Sequence, residues 1–345
     1  MKKIISLLLT VGLSMSLAGC NASAENTKTT AAPATTAEAT AAVTTAIEES
    51  TGAVTDGGKL KIGYACPNIN NTFQTYLMEA AQAYANANDI ELLVVDGQQD
   101  VVMQQDQVKS LIQQGVDALI VSPADTSAME PLTQAARDAN IPLVYLNSNP
   151  YAGKESEMPE GVYYVGSQEV TAGELQMQYA GEKMSGKGNI CILMGGLTYE
   201  ASFQRTEGVK NIIASTYPDI KVLAEETGDW QRDKALAVTE NWLTAYGDDI
   251  DAIFANNDEM ALGAIQCLNT LGIKDVMVFG IDATPDAVKA VEEGTMTGTV
   301  FQDAVGQAEG AMQLAVKAAG SDTIADQILW IPFILVTPEN YTQYK

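Results

Sequence analysis

Histidine is absent from all 345 residues. With it go the usual general base, the commonest metal ligand and every catalytic arrangement built on a Ser-His or Cys-His pair. Basic residues are scarce: 19 Lys plus Arg stand against 44 Asp plus Glu, a formal charge of −25. So negative a field repels phosphate backbones and argues against nucleic acid as a partner. Cysteine numbers only four, and setting aside Cys20 leaves Cys66, Cys191 and Cys267. An odd count so widely spread is no disulfide framework, and no CxxC pair suggests a metal. Cys191, inside NICILM, and Cys267, inside a helical pattern, are expected to pack in a core. Neither GxGxxG nor GxxxxGK[ST] occurs, so no phosphate loop is expected. What remains is a globular composition, 46% hydrophobic and 18% charged, in a length suited to about two domains.

Residues 1–20 read MKKIISLLLTVGLSMSLAGC. Lys2 and Lys3 form a basic start, an apolar run of about ten residues follows, and small residues precede Cys20. This is an export signal, too short to remain as a membrane span, and no later run could span a bilayer. Leu17-Ala18-Gly19-Cys20 resembles the lipobox of bacterial lipoproteins, in which cleavage before the cysteine leaves its thiol to carry a diacylglycerol. Residues 1–19 are thus expected to be removed and Cys20 lipidated, anchoring the chain to the outer face of the cell membrane, at the cell surface or in the periplasm. Residues 21–56 contain 11 Ala and 10 Thr with few large apolar side chains, which cannot build a core. As a flexible coil this tether would span about 30–36 Å.

From Lys59 short apolar runs alternate with amphipathic stretches. Strands are expected near 60–66, 91–96, 117–121, 141–146, 162–166, 189–194, 220–225, 252–255, 276–281 and 297–301. Helical patterns such as 72–88 and 101–115 lie between them. This alternation means an α/β fold of parallel sheets, with ligands gathering at the carboxyl ends of the strands. Several of those ends are polar or aromatic: PNINNTF (67–73), DGQQ (96–99), SPADT (122–126), LNSN (146–149), GDWQR (228–232), ANNDEM (255–260), GID (280–282) and FQD (301–303). The diglycine Gly195-Gly196 hints weakly at a close backbone approach. Amides, carboxylates, one Arg and aromatic rings suit the binding of a neutral polyhydroxylated molecule, not bond-making; no enzyme activity, cofactor or metal is expected.

At these segments, chiefly FANNDEMALGA (254–264) and DVMVFGIDATPDAVKAVEEGTMTGTV (275–300), with NINNTF, LIVSPADTSAM and YYVGS in support, the sequence resembles the type I periplasmic sugar-binding proteins. These are the receptor subunits of ABC importers, and the D-galactose/D-glucose-binding and ribose-binding proteins are the members it looks most like. The likeness runs from about Lys59 to Thr337. It implies two Rossmann-like lobes joined by three hinge crossovers, near Gly166, Phe301 and Trp330. The N-terminal lobe would be 57–166 plus 302–329, and the C-terminal lobe 167–301 plus 330–345.

The same resemblance implies site residues, each with a plainer alternative. Phe73 and Trp230 would stack on opposite faces of a sugar, although Phe73 could equally be a hydrophobic staple. Asp282 ends an apolar strand, and Thr284 with Pro285 is placed to cap the following helix. The Asp282 carboxylate is therefore free to accept from hydroxyls. Asn257 is an expected ligand contact, and Asp258 either a second contact or a helix cap. Arg205 would donate to ring and hydroxyl oxygens. Asn71, Asn147 and Gln302 occupy slots that relatives use, and Tyr199 stands where the galactose/glucose-binding relative has a His. EKMSGKGN (182–189) is too short and too poor in carboxylates for that relative's calcium loop. Asn147-Ser148 also lacks the acid and Arg of ribose-binding proteins. The expected ligand is a monosaccharide, leaning to an aldohexose such as glucose or galactose, captured by a monomeric lipoprotein and passed to an ABC permease. A receptor of the same fold serving chemotaxis or a sensor kinase is the alternative; a repressor would need a basic helix-turn-helix in place of the lipobox and tether.

Overall fold

The computed structural model describes residues 58–345. The expected signal, Cys20 and the Ala/Thr tether lie outside the described residues. Along the chain come β1 (Lys61–Cys66), α1 (Thr72–Ala87), β2 (Glu91–Asp96), α2 (Val101–Gln113), β3 (Ala118–Val121), α3 (Glu130–Asp138), β4 (Leu143–Leu146) and β5 (Val162–Gly166). There follow α4 (Glu169–Lys183), β6 (Lys187–Met194), α5 (Glu200–Thr216), β7 (Asp219–Thr227), α6 (Arg232–Tyr246), β8 (Ala252–Ala255), α7 (Asp258–Leu271), β9 (Met277–Phe279) and α8 (Pro285–Glu292). The chain closes with β10 (Thr299–Phe301), α9 (Ala304–Ala319), β11 (Ile328–Trp330) and β12 (Ile334–Val336).

Two parallel sheets result. The first has the order β11-β5-β4-β3-β1-β2 and the second β7-β6-β8-β9, while β10 and β12 form an antiparallel pair. All ten strands expected from the apolar runs are present. Their central members are buried from end to end, as β3, β4 and β8 show, because helices cover both faces. Apolar cores follow this layering. One gathers Val121, Leu143 and Tyr164 of the first sheet, and others flank the second sheet around Trp242 and Phe254.

The chain leaves the first sheet after β5, runs through the second, and returns after β10 so that α9 packs on α1 and on β3, β4 and β5. Gly166 is paired with Trp330 across β5 and β11, and Phe301 with Ile334 across β10 and β12. Beyond β12 the tail turns back, where Tyr341 and Tyr344 pack with Ala283, Val288 and Val336.

Local signals set the helix ends. Asn71, Asp100, Asn257, Thr284 and Asp303 accept from backbone N–H groups of their first turns, and Pro285 takes the first helical position. Past α2, Gly115 adopts the left-handed conformation that a terminating residue needs, φ 71°. Helices α4 and α5 approach backbone to backbone. A Cβ on Gly173 would overlap the Arg205 carbonyl, and one on Gly208 the Val170 carbonyl. That contact brings Glu169 and Arg205 together. Cys66, Cys191 and Cys267 are all buried free thiols, and burial raises the first two to about 12, so they behave as apolar packing groups. Around 182–189 the chain makes a tight turn between α4 and β6. Among the described residues no group of His, Cys, Asp and Glu is arranged to hold a metal ion.

Candidate functional site

A narrow cleft, its cavity about 60 Å³, lies where the loops of the two sheets meet. Every wall comes from beyond the carboxyl end of a strand, as the parallel topology requires. From the first sheet come Asn71 and Phe73 after β1, Gln99 after β2, and Asn147 and Ser148 after β4. The second contributes Tyr199 after β6, Trp230 after β7, Asn257 after β8 and Asp282 after β9; Glu169 follows β5 and Gln302 follows β10.

Nine of the ten residues singled out from the sequence line this cleft: Asn71, Phe73, Asn147, Tyr199, Arg205, Trp230, Asn257, Asp282 and Gln302. Asp258 is the exception, and the expectation of a ligand contact there is corrected. It is completely buried behind the cleft, accepting from the Thr284 N–H at 2.7 Å and the Thr299 hydroxyl at 2.6 Å. Nor does it cap its helix, since Asn257 Oδ1 accepts the Met260 N–H at 3.0 Å. Asp258 instead ties the loop carrying Asp282 to the strand behind it. Burial raises its pKa to about 7 despite those donors.

Trp230 owes its place to the diglycine. A Cβ on Gly195 would fall inside the indole ring, so the glycine backbone is the seat on which that ring lies. Asp229 and Trp230 both take left-handed backbone conformations, φ 51° and 64°, a strain that the surrounding packing must hold. The Tyr199 ring meets Trp230 edge-on, centroids 6.0 Å apart, and the Arg205 guanidinium lies 5.8 Å from the Trp230 ring centre. Phe73 lines the same cleft from the first sheet's side.

Arg205 is more committed than the sequence reading allowed. It is buried, and it donates from Nε to Glu169 Oε2 at 2.5 Å, from Nη1 to the Asn256 carbonyl at 2.6 Å and from Nη2 to Gln302 Oε1 at 3.1 Å. Of its five N–H groups two remain for a ligand. Asn147 is similarly engaged: Gln74 Nε2 donates to its Oδ1 at 3.0 Å, and its Nδ2 donates to Gln307 Oε1 at 3.2 Å.

Pro67, Asn68, Gln99 and Ser148 also line the cleft, within polar segments recognised from the sequence, whereas Gln74, Glu169 and Ala201 lie outside those segments. Gln74 and Glu169 matter most, together with Gln302. Glu169 Oε1, Gln74 Oε1 and Gln302 Nε2 are buried polar atoms with no hydrogen-bond partner, a costly condition that a polar ligand would relieve. Burial pushes the Glu169 carboxyl above the usual range, against the pull of Arg205. Asp282, 8% exposed and at φ 125°, is pushed well above its ordinary pKa by burial and then by the charge of Asp258, with Arg205 opposing.

The rims of the cleft touch. The Thr126 N–H donates to the Thr198 carbonyl at 3.1 Å, the Thr198 hydroxyl to the Ala124 carbonyl at 3.4 Å, and the Thr72 hydroxyl to Glu259 Oε1 at 3.4 Å. The Asn149 N–H donates to Glu200 Oε1 in the same way. Each of these pairs joins a loop of the first sheet to one of the second, so the cleft is seen closed.

Comparison with known proteins matches residues 62–322 to the periplasmic binding protein domain. A protein of Rhizobium meliloti named for rhizopine binding is 38% identical over 288 residues, 82% of this chain and 92% of that one. The ribose import binding protein of Bacillus subtilis is 33% identical over 75% of this chain and 80% of its own length. Among solved structures, an ABC transporter solute binding protein from Bacillus halodurans with bound myo-inositol is 38% identical, with a TM-score of 0.78 over 84% of this chain and 99% of that one. One from Actinobacillus succinogenes with bound D-allose is 30% identical, with a TM-score of 0.76 over 83% of this chain and all of that one.

Proposed function

The chain belongs to the periplasmic binding protein family, and from that premise we propose that it is the sugar-binding receptor of an ABC importer. Its relatives are solute-binding transport proteins, not enzymes. The ligand in this reading is a six-carbon ring polyol, an aldohexose or a close cyclic analogue, held between Phe73 and Trp230 while Asp282, Asn257, Asn71 and Gln302 meet its hydroxyls. The observation that carries it is the convergence of loops from both sheets on one cleft. The cleft presents aromatic carbon for C–H-rich ring faces and unpartnered amide and carboxylate atoms for hydroxyls.

A ligand that touches both halves binds the closed arrangement better than the open one, and only that difference shifts the balance between them. The halves are 57–166 plus 302–329 and 167–301 plus 330–345, bending near Gly166, Phe301 and Trp330. The closed form then delivers its cargo to a membrane permease. Export and lipidation at Cys20 keep the monomeric receptor at the outer face of the cell membrane, on its Ala/Thr tether. The bound myo-inositol and D-allose of the two structural neighbours are consistent with a six-carbon ring, whereas the Bacillus subtilis relative is named for ribose, a pentose.

A thermal-shift screen against pentoses, hexoses and cyclitols tests this, since a ligand of the native state adds RT ln(1 + [L]/Kd) to stability. Stabilisation by one or a few six-carbon rings, lost in Asp282→Ala, is expected. A panel without a shift at millimolar ligand overturns it.

A further inference from the structure

A second cavity, of about 240 Å³, lies beside the point where the chain leaves the first sheet, and it shares only Glu169 with the cleft. Its walls come from both halves of the molecule. Asn149 and Glu155 follow β4, Glu200 and Gln204 open α5, and Trp330 ends β11. The volume far exceeds the ~10–15 Å³ that one water requires.

Two polar atoms of these walls, one from each half, are buried without a partner. Asn149 is 4% exposed; its Oδ1 accepts the Tyr151 N–H at 2.9 Å and its own N–H donates to Glu200 Oε1, but among the described residues nothing accepts from Nδ2. Glu200 Oε2 is likewise unpartnered. Leaving such groups unsatisfied is costly. The apolar part of the wall is aromatic: Trp330, an exposed large ring, meets Tyr164 edge-on with centroids 5.5 Å apart.

This inventory selects the chemistry of an occupant. Asn149 Nδ2 needs an acceptor, which an ammonium lacks, and a carboxylate or phosphate would face Glu155, Glu169 and Glu200 with no donor to offer them. Charge gives an ammonium little to hold. Glu169 is paired with Arg205, Glu155 Oε1 accepts the Gly153 N–H at 2.9 Å, and burial raises Glu200 to about 8, so that it keeps its proton at neutral pH. A hydroxyl both donates and accepts, so it answers Asn149 Nδ2 and, in either protonation state, Glu200 Oε2; the amides of Gln168 and Gln204 meet it in both senses too. The C–H face of a polyol buries well against an indole ring.

We propose that this cavity is a second binding site, for a small neutral polyol that bridges Asn149 Nδ2 and Glu200 Oε2 against the Trp330 ring. Because those groups come from both halves, an occupant favours the closed arrangement.

The test is saturation-transfer NMR on the purified chain with two probes, glycerol and serinol, in which an ammonium replaces the central hydroxyl of glycerol. Asp282→Ala disables the cleft, and Ala152→Phe fills the second cavity. Glycerol should saturate a site with the same affinity in the unmodified chain and in Asp282→Ala, and bind about ten-fold or more weakly in Ala152→Phe. Serinol should bind no more tightly than glycerol. Should Ala152→Phe not fold, Gln204→Trp fills the cavity from α5 and decides in its place. A glycerol signal lost in Asp282→Ala and kept in Ala152→Phe would put the polyol in the cleft alone. The absence of a saturable signal would leave the cavity to water, and tighter binding of serinol would make it a cation site. Each of these three results overturns the inference, and none bears on the ring-polyol reading, which the sugar screen decides separately.

Discussion

Replacing Arg205 by Met removes a buried cation from a site built around it. The guanidinium neutralises Glu169 at 2.5 Å and supplies donors to the Asn256 carbonyl and to Gln302 Oε1. Breaking a buried pair from one side costs about 3–5 kcal/mol, because the remaining charge stays buried and alone. Glu169→Met should cost about 2–4 kcal/mol, less because Asp282 still faces the orphaned cation. The double variant removes both charges and leaves only the two neutral acceptors short of a donor. It should cost about 1–3 kcal/mol, far below the sum of the singles. The coupling energy is therefore at least about 2 kcal/mol, read by urea denaturation of the four proteins. The Arg205→Met penalty should also shrink toward acid pH, where Glu169 takes up a proton instead. A double variant that costs the sum of the singles would refute the reasoning, as would an Arg205→Met penalty below about 1 kcal/mol.

Gly195→Ala places a methyl group where the Trp230 ring lies, so the ring must move. Overpacking of this kind costs about 1–3 kcal/mol in stability, and ligand affinity should fall together with a change in Trp230 fluorescence; unchanged affinity would mean that the ring is no part of the site. The unliganded chain should lose stability as pH rises from about 5 to about 8. Asp258 and Glu200 keep their protons in the folded state up to about 7 and about 8, whereas an unfolded chain releases them near 4 to 4.5, so the folded state binds more protons throughout that window. Each such carboxyl contributes a slope of up to about 1.4 kcal/mol per pH unit. Denaturation midpoints measured across the range check this, and Glu200→Gln should flatten the curve; a midpoint that rises with pH would contradict it.

The strand order of chemistry was open to reading because each parallel strand is a short apolar run followed by polar residues, a contrast visible without coordinates. Two strands escaped, β11 and β12. Each is three residues long inside the apolar stretch ILWIPFILV, where no alternation can register and Pro332 interrupts. Within the site, Asn257 and Asp282 stood out because polar side chains follow buried apolar strands, and Trp230 because an aromatic ring sits in the polar run GDWQR. Glu169 did not, since an acid at the first turn of a helix reads as a favourable companion of the helix dipole. Only the glycine contact between α4 and α5 turns it toward Arg205. Gln74 was hidden likewise among the helical residues of α1. Asp258 misled for the opposite reason: its neighbour Asn257 lines the cleft, but the start of α7 turns Asp258 the other way, toward Thr284 and Thr299.

The central claim is that one ligand is gripped by both halves at once, and a paired titration tests it most directly. Phe73→Ala removes an aromatic wall on the first sheet's side and Trp230→Ala one on the second's. Calorimetry with the best ligand of the panel should show each variant weakened by about 2 kcal/mol or more, roughly 30-fold, from lost apolar contact. Both variants should remain folded. Full affinity in either variant would mean that the ligand sits on one half alone, and the account of closure would fail with it.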